Sequence, residues 1–422
     1  MTTPPLVMRR SALDNRRFRT LLLVVAGVPI AATYLWQALI QPLAFGAYLG
    51  DFQESYMRAA QRFAQGADPY DLCRTLGCLE PTGPQYVMPP TLAWMLQPLV
   101  GVDSHLITVG AILLLNASLF LFLFCVLRTL DIRDWQLAAL LVLVAFGFEP
   151  VIGNIDEGQV NPILLGLSGI WLWAWALDRW WGGIAIAAAV AIKLIQGPVG
   201  LLIVWGRRWS MLAAAVVTGL VLWLLPGPRY LFEYLLSVLP AVSQGTGLYE
   251  NHSPGGTITR LFAPETFVGV VHGSPPAARV ITLVISLTAL TITFVVLRRP
   301  AAMRTGRVLE ASAIVAVTPI VTSYAWGTHL VLLLLPILVL VWWSVRRRDW
   351  AVLGLLAVGY LLLGPGHKGM QVLLVNGYSN LVVLRLLAEL GTVGVIAIWA
   401  ASLLAVRRQQ LGPVGESNSP DT

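Results

Sequence analysis

The sequence predicts an all-α polytopic membrane protein, and three observations carry that expectation. Of 422 residues, 57% are hydrophobic and only 12% are charged, with a mean hydropathy of +0.74. No soluble domain sustains that balance. Apolar runs recur that reach the roughly 20 residues needed to cross about 30 Å of hydrocarbon as a helix. These runs lack the alternation of barrel strands, whereas a helix satisfies every backbone group inside lipid by itself.

The chain opens with a basic segment, 1–19, carrying Arg9, Arg10, Arg16, Arg17 and Arg19 before the first apolar run. That run is long and no small-residue cleavage site follows, so it reads as a retained span. About ten full spans are expected, near 20–42, 105–127, 135–152, 162–178, 209–226, 277–297, 309–325, 328–345, 350–365 and 383–406. Residues 20–408 form a single transmembrane domain, and the Gly-, Ser- and Pro-rich tail 409–422 is expected to be disordered. With both termini cytoplasmic, the short inner loops and tails hold nineteen arginines and lysines against eight acids, and the outer loops eight against twelve. Basic residues near span ends stay inside, so the net charge of +7 reports orientation and gives no argument for nucleic-acid binding.

One apolar stretch, Trp181 to Arg207, has cytoplasmic flanks at both ends and is too short to cross twice. A re-entrant helical hairpin fits it, giving twelve hydrophobic helices in all. Gly197-Pro198 supplies the turn, and Lys193 precedes that tip. A lysine at membrane depth costs on the order of 3 kcal/mol on insertion scales, so a partner or ligand is expected for it. The alternative is one tilted span with a snorkelling lysine, although Lys193 lies far from both ends of the run.

The outer loops 43–104 and 227–276 are long and partly amphipathic, which points any chemistry outward. In the first, Asp51 follows the opening span directly. Tyr56, Ala59, Ala60 and Phe63 then mark a helix lying at the membrane surface, ended by Asp68-Pro69-Tyr70. TLAWMLQPLVG after Pro90 is too short to span and reads as interfacial. Asp51 with Glu54 makes a capping box, and a carboxylate at a helix N-terminus is a well-oriented base whose pKa is lowered. Cys73 and Cys78 share this loop, and four intervening residues permit a local disulfide in an oxidising compartment. Cys125 sits in a span as packing. The pairs Asp68/Asp71 and Asp156/Glu157 read as solvated loop acids, and no His/Cys/Asp set has metal-ligand spacing, so no metal or other cofactor is expected.

Along the chain the motifs run DF at Asp51, YMRAAQRFAQGADPYD from Tyr56, YVMPP at Tyr86 and EGQVNPILLGL at Glu157. AIKLIQGPVGL at Ala191, ENHSPGGTITRLF at Glu250 and SYAWGTHLVLLLLP at Ser323 follow. In this order, from about residue 20 to 345, they resemble glycosyltransferase family 87, one of the GT-C membrane glycosyltransferases. The resemblance implies a GT-C fold with extracytoplasmic juxtamembrane helices in the bacterial plasma membrane. It also implies inverting, metal-independent transfer of a sugar from a polyprenyl-phosphate donor to a hydroxyl on a glycolipid or polysaccharide acceptor. Mannose is the sugar the wider family favours, and arabinofuranose is the alternative of one branch. Asp51 matches the general base. The candidates for the donor phosphate are Lys193, Arg260 and His329. Tyr56, Gln159, Asn161, Asn251, His252 and Trp326 are candidates for substrate contact.

Each candidate has a plainer role beside it. Gln159 and Asn161 serve equally as helix caps, His329 and Trp326 as interfacial residues, and the Asn251 loop as an ordinary turn. Two further function classes frame the expectation. A lipid-linked-sugar flippase or other transporter would show paired repeat halves with broken helices near the midplane. Here the hairpin occurs once and polar residues concentrate outside. A non-catalytic scaffold leaves Lys193 and the motif order unexplained.

Overall fold

A computed structural model describes residues 16–70, 85–267, 273–364 and 381–411, and among these there is no strand. The Cys73–Cys78 pairing and the tail after Leu411 lie outside the described residues. In chain order the helices are α1 (Arg16–Phe45), α2 (a π-helical turn Asp51–Met57 continuing as Arg58–Ala64), α3 (Pro90–Leu96) and α4 (Ser104–Thr129). Next come α5 (Trp135–Phe146), α6 (Glu149–Glu157), α7 (Asn161–Ala176), α8 (Gly182–Ile192), α9 (Pro198–Trp205) and α10 (Trp209–Leu224). The remainder are α11 (Pro228–Val242), α12 (Pro254–Phe262), α13 (Pro276–Leu297), α14 (Arg304–Val321), α15 (Gly327–Arg347), α16 (Trp350–Leu363) and α17 (Leu381–Leu411).

Five of these, α1, α4, α13, α15 and α17, are long and apolar enough to cross a membrane, or up to seven if each bent pair is one span. Among the described residues the count does not reach the ten full spans expected, for reasons visible in the chain. At 16 residues α7 is short of a crossing, and at 14 so is α16. Arg304, Arg307 and Glu310 lie on α14. The expected span 135–152 breaks at Gly147, and α6 leaves α5 at 50°. The expected span 209–226 ends at Leu224, where α11 turns away by 103°.

An apolar helix hydrophobic on every side belongs in a core. Accordingly α15 is the central helix, with 94% of its apolar window buried, whereas the corresponding window of α1 is 17% buried. Around α15 pack α14, α16, α5 and α17. A second tight pair is α4 with α7, where glycines on α7 remove the side chains that would keep the backbones apart. A Cβ on Gly166 would meet the Ser118 carbonyl oxygen at 3.0 Å, and one on Gly169 would meet the Cα of Phe122 and the Cβ of Cys125 at 3.0 Å each. Cys125 is thus a buried packing residue. The predicted surface helix exists as α2, but Tyr56, Ala59 and Ala60 are buried against protein. Likewise α3 buries Pro90, Thr91, Leu92 and Ala93, and Thr91 donates its hydroxyl to the Leu222 carbonyl at 3.0 Å.

Candidate active site

The chain leaves α1 at Phe45 and re-enters a helix at Asp51, the first residue of the π-helical turn. Asp51 does not form the expected capping box. Gly50 stands at the N-cap and no side chain caps the turn. The Asp51 carboxylate instead faces inward, where its Oδ2 accepts a hydrogen bond from the Gln159 side-chain Nε2.

Gln159 reaches Asp51 because α6 ends in a left-handed residue. Gly158 has φ +68, and a Cβ there would meet Phe52 Cβ at 2.7 Å and Leu49 Cβ at 2.8 Å. Only glycine combines that conformation with so close an approach to the Asp51 segment. The Gln159 backbone N–H is held by the Asn154 carbonyl at 2.9 Å, so the side chain leaves a fixed point.

Lys193 enters from the break between α8 and the short turn Leu194–Gln196. It is not helical: φ −156 and ψ 124 place it in an extended conformation that ends α8. Its Nζ donates to Asn161 Oδ1 at 3.0 Å and to Gln159 Oε1 at 3.4 Å. The Tyr56 hydroxyl donates to the same Gln159 oxygen at 2.9 Å. Asn161, fully buried, donates in turn to Asn154 Oδ1 at 2.8 Å and to the Thr328 carbonyl at 3.2 Å. Asp51, Tyr56, Gln159, Asn161 and Lys193 are therefore one hydrogen-bonded cluster drawn from three segments of the chain.

Burial pushes the Asp51 carboxyl up to about 6, with Glu157 and Glu250 adding to the rise and Lys193 and the Gln159 amide opposing it. The expectation of a lowered value assumed an exposed helix N-terminus, and the buried position reverses its sign. Such a carboxylate is ionised at neutral pH yet basic enough to accept a proton from a hydroxyl. Glu157, expected to be solvated, is half-buried and acts on Asp51, while Asp156 is exposed.

His329 lies on the turn that opens α15, which packs against α6 and α7 beside the cluster. It is 3% exposed, and among the described residues its Nδ1 has no hydrogen-bond partner. Tyr324 stands with its ring centroid 5.9 Å from the imidazole and 5.5 Å from the half-buried Trp326.

The remaining sequence candidates, Arg260, Asn251 and His252, gather in a second group around α12 and α17. Arg260 donates through Nε to Glu389 on α17 at 2.7 Å, through one terminal nitrogen to the Leu248 and Asn251 carbonyls at 3.1 and 3.0 Å, and through the other to Thr257 Oγ1 at 3.3 Å. Asn251 spends its amide on the Thr246 and Ser323 carbonyls and on the Ser253 and Ala325 N–H groups. His252 is buried beside α17, its Nδ1 3.4 Å from the Ala388 carbonyl.

Sequence reasoning missed Asn154, whose amide donates to the Thr328 carbonyl at 2.8 Å, and Glu389 as the partner of Arg260. A signal for the second existed: an acid inside an apolar span requires a counter-charge. Among the described residues, no group of three or more His, Cys, Asp or Glu side chains gathers as a metal site.

The model of glycosyltransferase family 87 matches residues 86–323, more than half of the chain. Gln159, Lys193 and Arg260 fall inside that range, Asp51 before it, and His329 and Glu389 after it. The chain is 26% identical over 253 residues to an alpha-(1->3)-arabinofuranosyltransferase of Mycobacterium tuberculosis, covering 58% of this chain and 54% of that protein. It is 24% identical over 220 residues to the alpha-(1->3)-arabinofuranosyltransferase of Corynebacterium glutamicum, covering 50% of each. The chain thus spans about half the length of the curated relatives it matches. Among solved structures, ArnT from Cupriavidus metallidurans bound to undecaprenyl phosphate aligns over 91% of this chain and 77% of that one, with 13% identity and a TM-score of 0.45.

Proposed function

The chain belongs to glycosyltransferase family 87, and on that premise we propose an integral membrane enzyme that moves a sugar from a polyprenyl-phosphate carrier to a hydroxyl acceptor at the extracytoplasmic face, with inversion. The relatives of stated activity are arabinofuranosyltransferases. They favour a polyprenyl-phosphate arabinofuranose donor over the mannose that the wider family suggests. The carrying observation is the single hydrogen-bonded cluster in which one glutamine amide touches both the Asp51 carboxylate and Lys193.

In this reading Asp51 takes the proton of the acceptor hydroxyl. The freed oxygen attacks the anomeric carbon, and the bond from that carbon to the phosphate oxygen breaks with its electron pair, leaving the polyprenyl phosphate dianion. A phosphate ester is already a good leaving group, so the protein has mainly to place the base and offset the charge that develops on the phosphate. Lys193 is assigned to that charge, with the unpartnered His329 nitrogen beside it as a second donor. Arg260 is reassigned from phosphate binding to structure, because four of its five N–H donors are engaged by Glu389, two carbonyls and a hydroxyl. Asn251 is likewise a loop organiser.

The test is transfer by the purified protein in nanodiscs, offered polyprenyl-phosphate arabinofuranose and polyprenyl-phosphate mannose with a panel of glycolipid and oligosaccharide acceptors, wild type beside Asp51→Asn. Transfer from the arabinofuranose donor that is lost in Asp51→Asn while donor binding persists is the expected result. Transfer from mannose alone would overturn the donor assignment. Donor binding with no transfer to any acceptor, or donor movement across the bilayer, would return the protein to the transporter class.

A further inference from the structure

We propose that Gln159 is a positioning residue for the transfer: Lys193 and Tyr56 fix the orientation of its amide, and the amide in turn holds the Asp51 carboxylate for the acceptor. This inference rests on the reaction proposed above, with Asp51 as the base.

The side-chain amide of glutamine has one acceptor end and one donor end, and its neighbours decide which way it faces. Two donors, the Tyr56 hydroxyl at 2.9 Å and Lys193 Nζ at 3.4 Å, stand on one side, and the Asp51 carboxylate stands on the other. Turning the amide over would set its carbonyl against a carboxylate and its NH2 against an ammonium and a hydroxyl. The contacts to the carboxylate and the ammonium would both become repulsive, and the Tyr56 hydroxyl would have to turn from donor to acceptor, so a single orientation survives. Both lone pairs of Oε1 and one of the two N–H bonds are then committed. Gln159 retains one N–H, a single donor for the substrate hydroxyl contact expected of it.

For the carboxylate the consequence is directional. The last torsion of an aspartate side chain is broad and roughly two-fold. A hydrogen bond on Oδ2 removes that freedom and leaves Oδ1, on which no hydrogen bond falls among the described residues, for the incoming hydroxyl. Lys193 drawing on the amide oxygen also polarises the N–H that reaches Asp51, since linked hydrogen bonds strengthen one another. The base and the cation assigned to the leaving phosphate are thereby coupled through one side chain, itself fixed by Gly158 and by the Asn154 carbonyl.

The groups that face Asp51 are Gln159 and Tyr56, Glu157 at the end of α6, Glu250 in the loop before α12, and Lys193 at the end of α8, with Asn161 and His329 behind Lys193. Exchanging Gln159 for groups of equal size changes one element of this set at a time. Gln159→Met removes the hydrogen bonds and keeps the volume. Gln159→Glu keeps the shape, but when ionised it turns an acceptor toward Asp51, and it regains a donor only on protonation.

The experiment measures kcat and KM against pH for the wild type, Gln159→Glu, Gln159→Met and Tyr56→Phe in nanodiscs, with an infrared difference titration of the Asp51 carboxyl against Asp51→Asn. Gln159→Met is expected to lose kcat by ~10–100-fold with acceptor KM nearly unchanged, and to move both the acid limb and the infrared midpoint to higher pH. Gln159→Glu is expected to have its optimum at lower pH than the wild type, because it works only while the pair shares a proton. Tyr56→Phe, the mildest change, is expected to shift the infrared midpoint in the same direction by less.

An infrared midpoint unmoved in Gln159→Met and Tyr56→Phe would overturn the inference. So would a uniform loss of activity at every pH, or a rise in KM at constant kcat, which would mark a substrate contact instead. A wild type that transfers no sugar while the midpoint moves as expected would sink the transferase reading and leave the Gln159–Asp51 contact standing.

Discussion

The guanidinium of Arg260 lies 2.7 Å from the Glu389 carboxylate, joining the short helix α12 to the last helix of the bundle across 129 residues of sequence. Arg260 is 3% exposed at the side chain and Glu389 31%, and Thr257 donates its hydroxyl to the same carboxylate. Beside them His252 packs so closely on α17 that a methyl at Gly391 would land on its ring. The loop that the motif order singles out is thus clamped to α17, which lies outside the range matched by the family model.

Removing one partner of that pair should be costly and removing both much less so. Arg260→Met or Glu389→Met alone strands a largely buried charge and is expected to lower stability by about 3 kcal/mol. The double variant should recover most of it, as read by thermal unfolding in detergent. The double variant should also keep measurable transfer, because Arg260 is structural in the reading above. A stable but inactive double variant would restore Arg260 to the donor phosphate.

Gly158→Ala tests how the site is assembled. The new methyl would have to share space with the Cβ atoms of Phe52 and Leu49 at a left-handed backbone position. A loss of about 2 kcal/mol is expected from the backbone and the crowding together. Transfer should fall by more than the unfolded fraction explains, because Gln159 is displaced from Asp51. Activity that simply tracks the folded fraction would show that the close approach has no bearing on chemistry.

The pH dependence follows from the Asp51 carboxyl, raised to about 6 chiefly by burial. The base works ionised, so kcat/KM should climb as pH passes upward through about 6 and level off above it. Asp51→Asn should lower kcat by ~100-fold or more and erase that limb. A limb that persists in Asp51→Asn belongs to another group.

Lys193→Met should act on both halves of the reaction. Its charge opposes the rise of the Asp51 carboxyl, so its removal moves the acid limb to higher pH. It also removes the cation assigned to the departing phosphate, with a further loss of ~100-fold in kcat. Donor affinity and the acid limb measured together check this. An unchanged limb would mean that Lys193 does not reach Asp51 in the working enzyme.

Several parts of this arrangement are legible in the chain. Composition, with long apolar runs that lack strand alternation, marks a helical membrane protein. Lys193 is conspicuous because a lysine inside an apolar run requires a partner, but the chain breaks at Lys193 itself and not at the expected turn Gly197-Pro198, where Gly197 is helical. Asp51 stands out by following a greasy helix directly. The helix breaks were less legible. The bend at Gly147 and the turn after Leu224 interrupt apolar runs that length and hydropathy treat as continuous. Glu157 looked solvated because its sequence neighbours are polar, and Glu389 had no visible partner.

By itself the sequence determined the class of protein, the approximate helices and the short set of polar residues from which a site must be built. These depend on local patterns of hydrophobicity, charge and turn chemistry, which each segment carries in itself. Which of those residues meet was decided by the tertiary structure alone. Asp51 and Gln159 are 108 positions apart and Arg260 and Glu389 are 129 apart. Their meeting depends on where backbones approach, at Gly158 for the first pair and, beside the second, at Gly391 where α17 takes the His252 ring. Burial then raised the Asp51 carboxyl where the sequence pattern implied a lowering, because the sign of such a shift is set by the surroundings that packing creates.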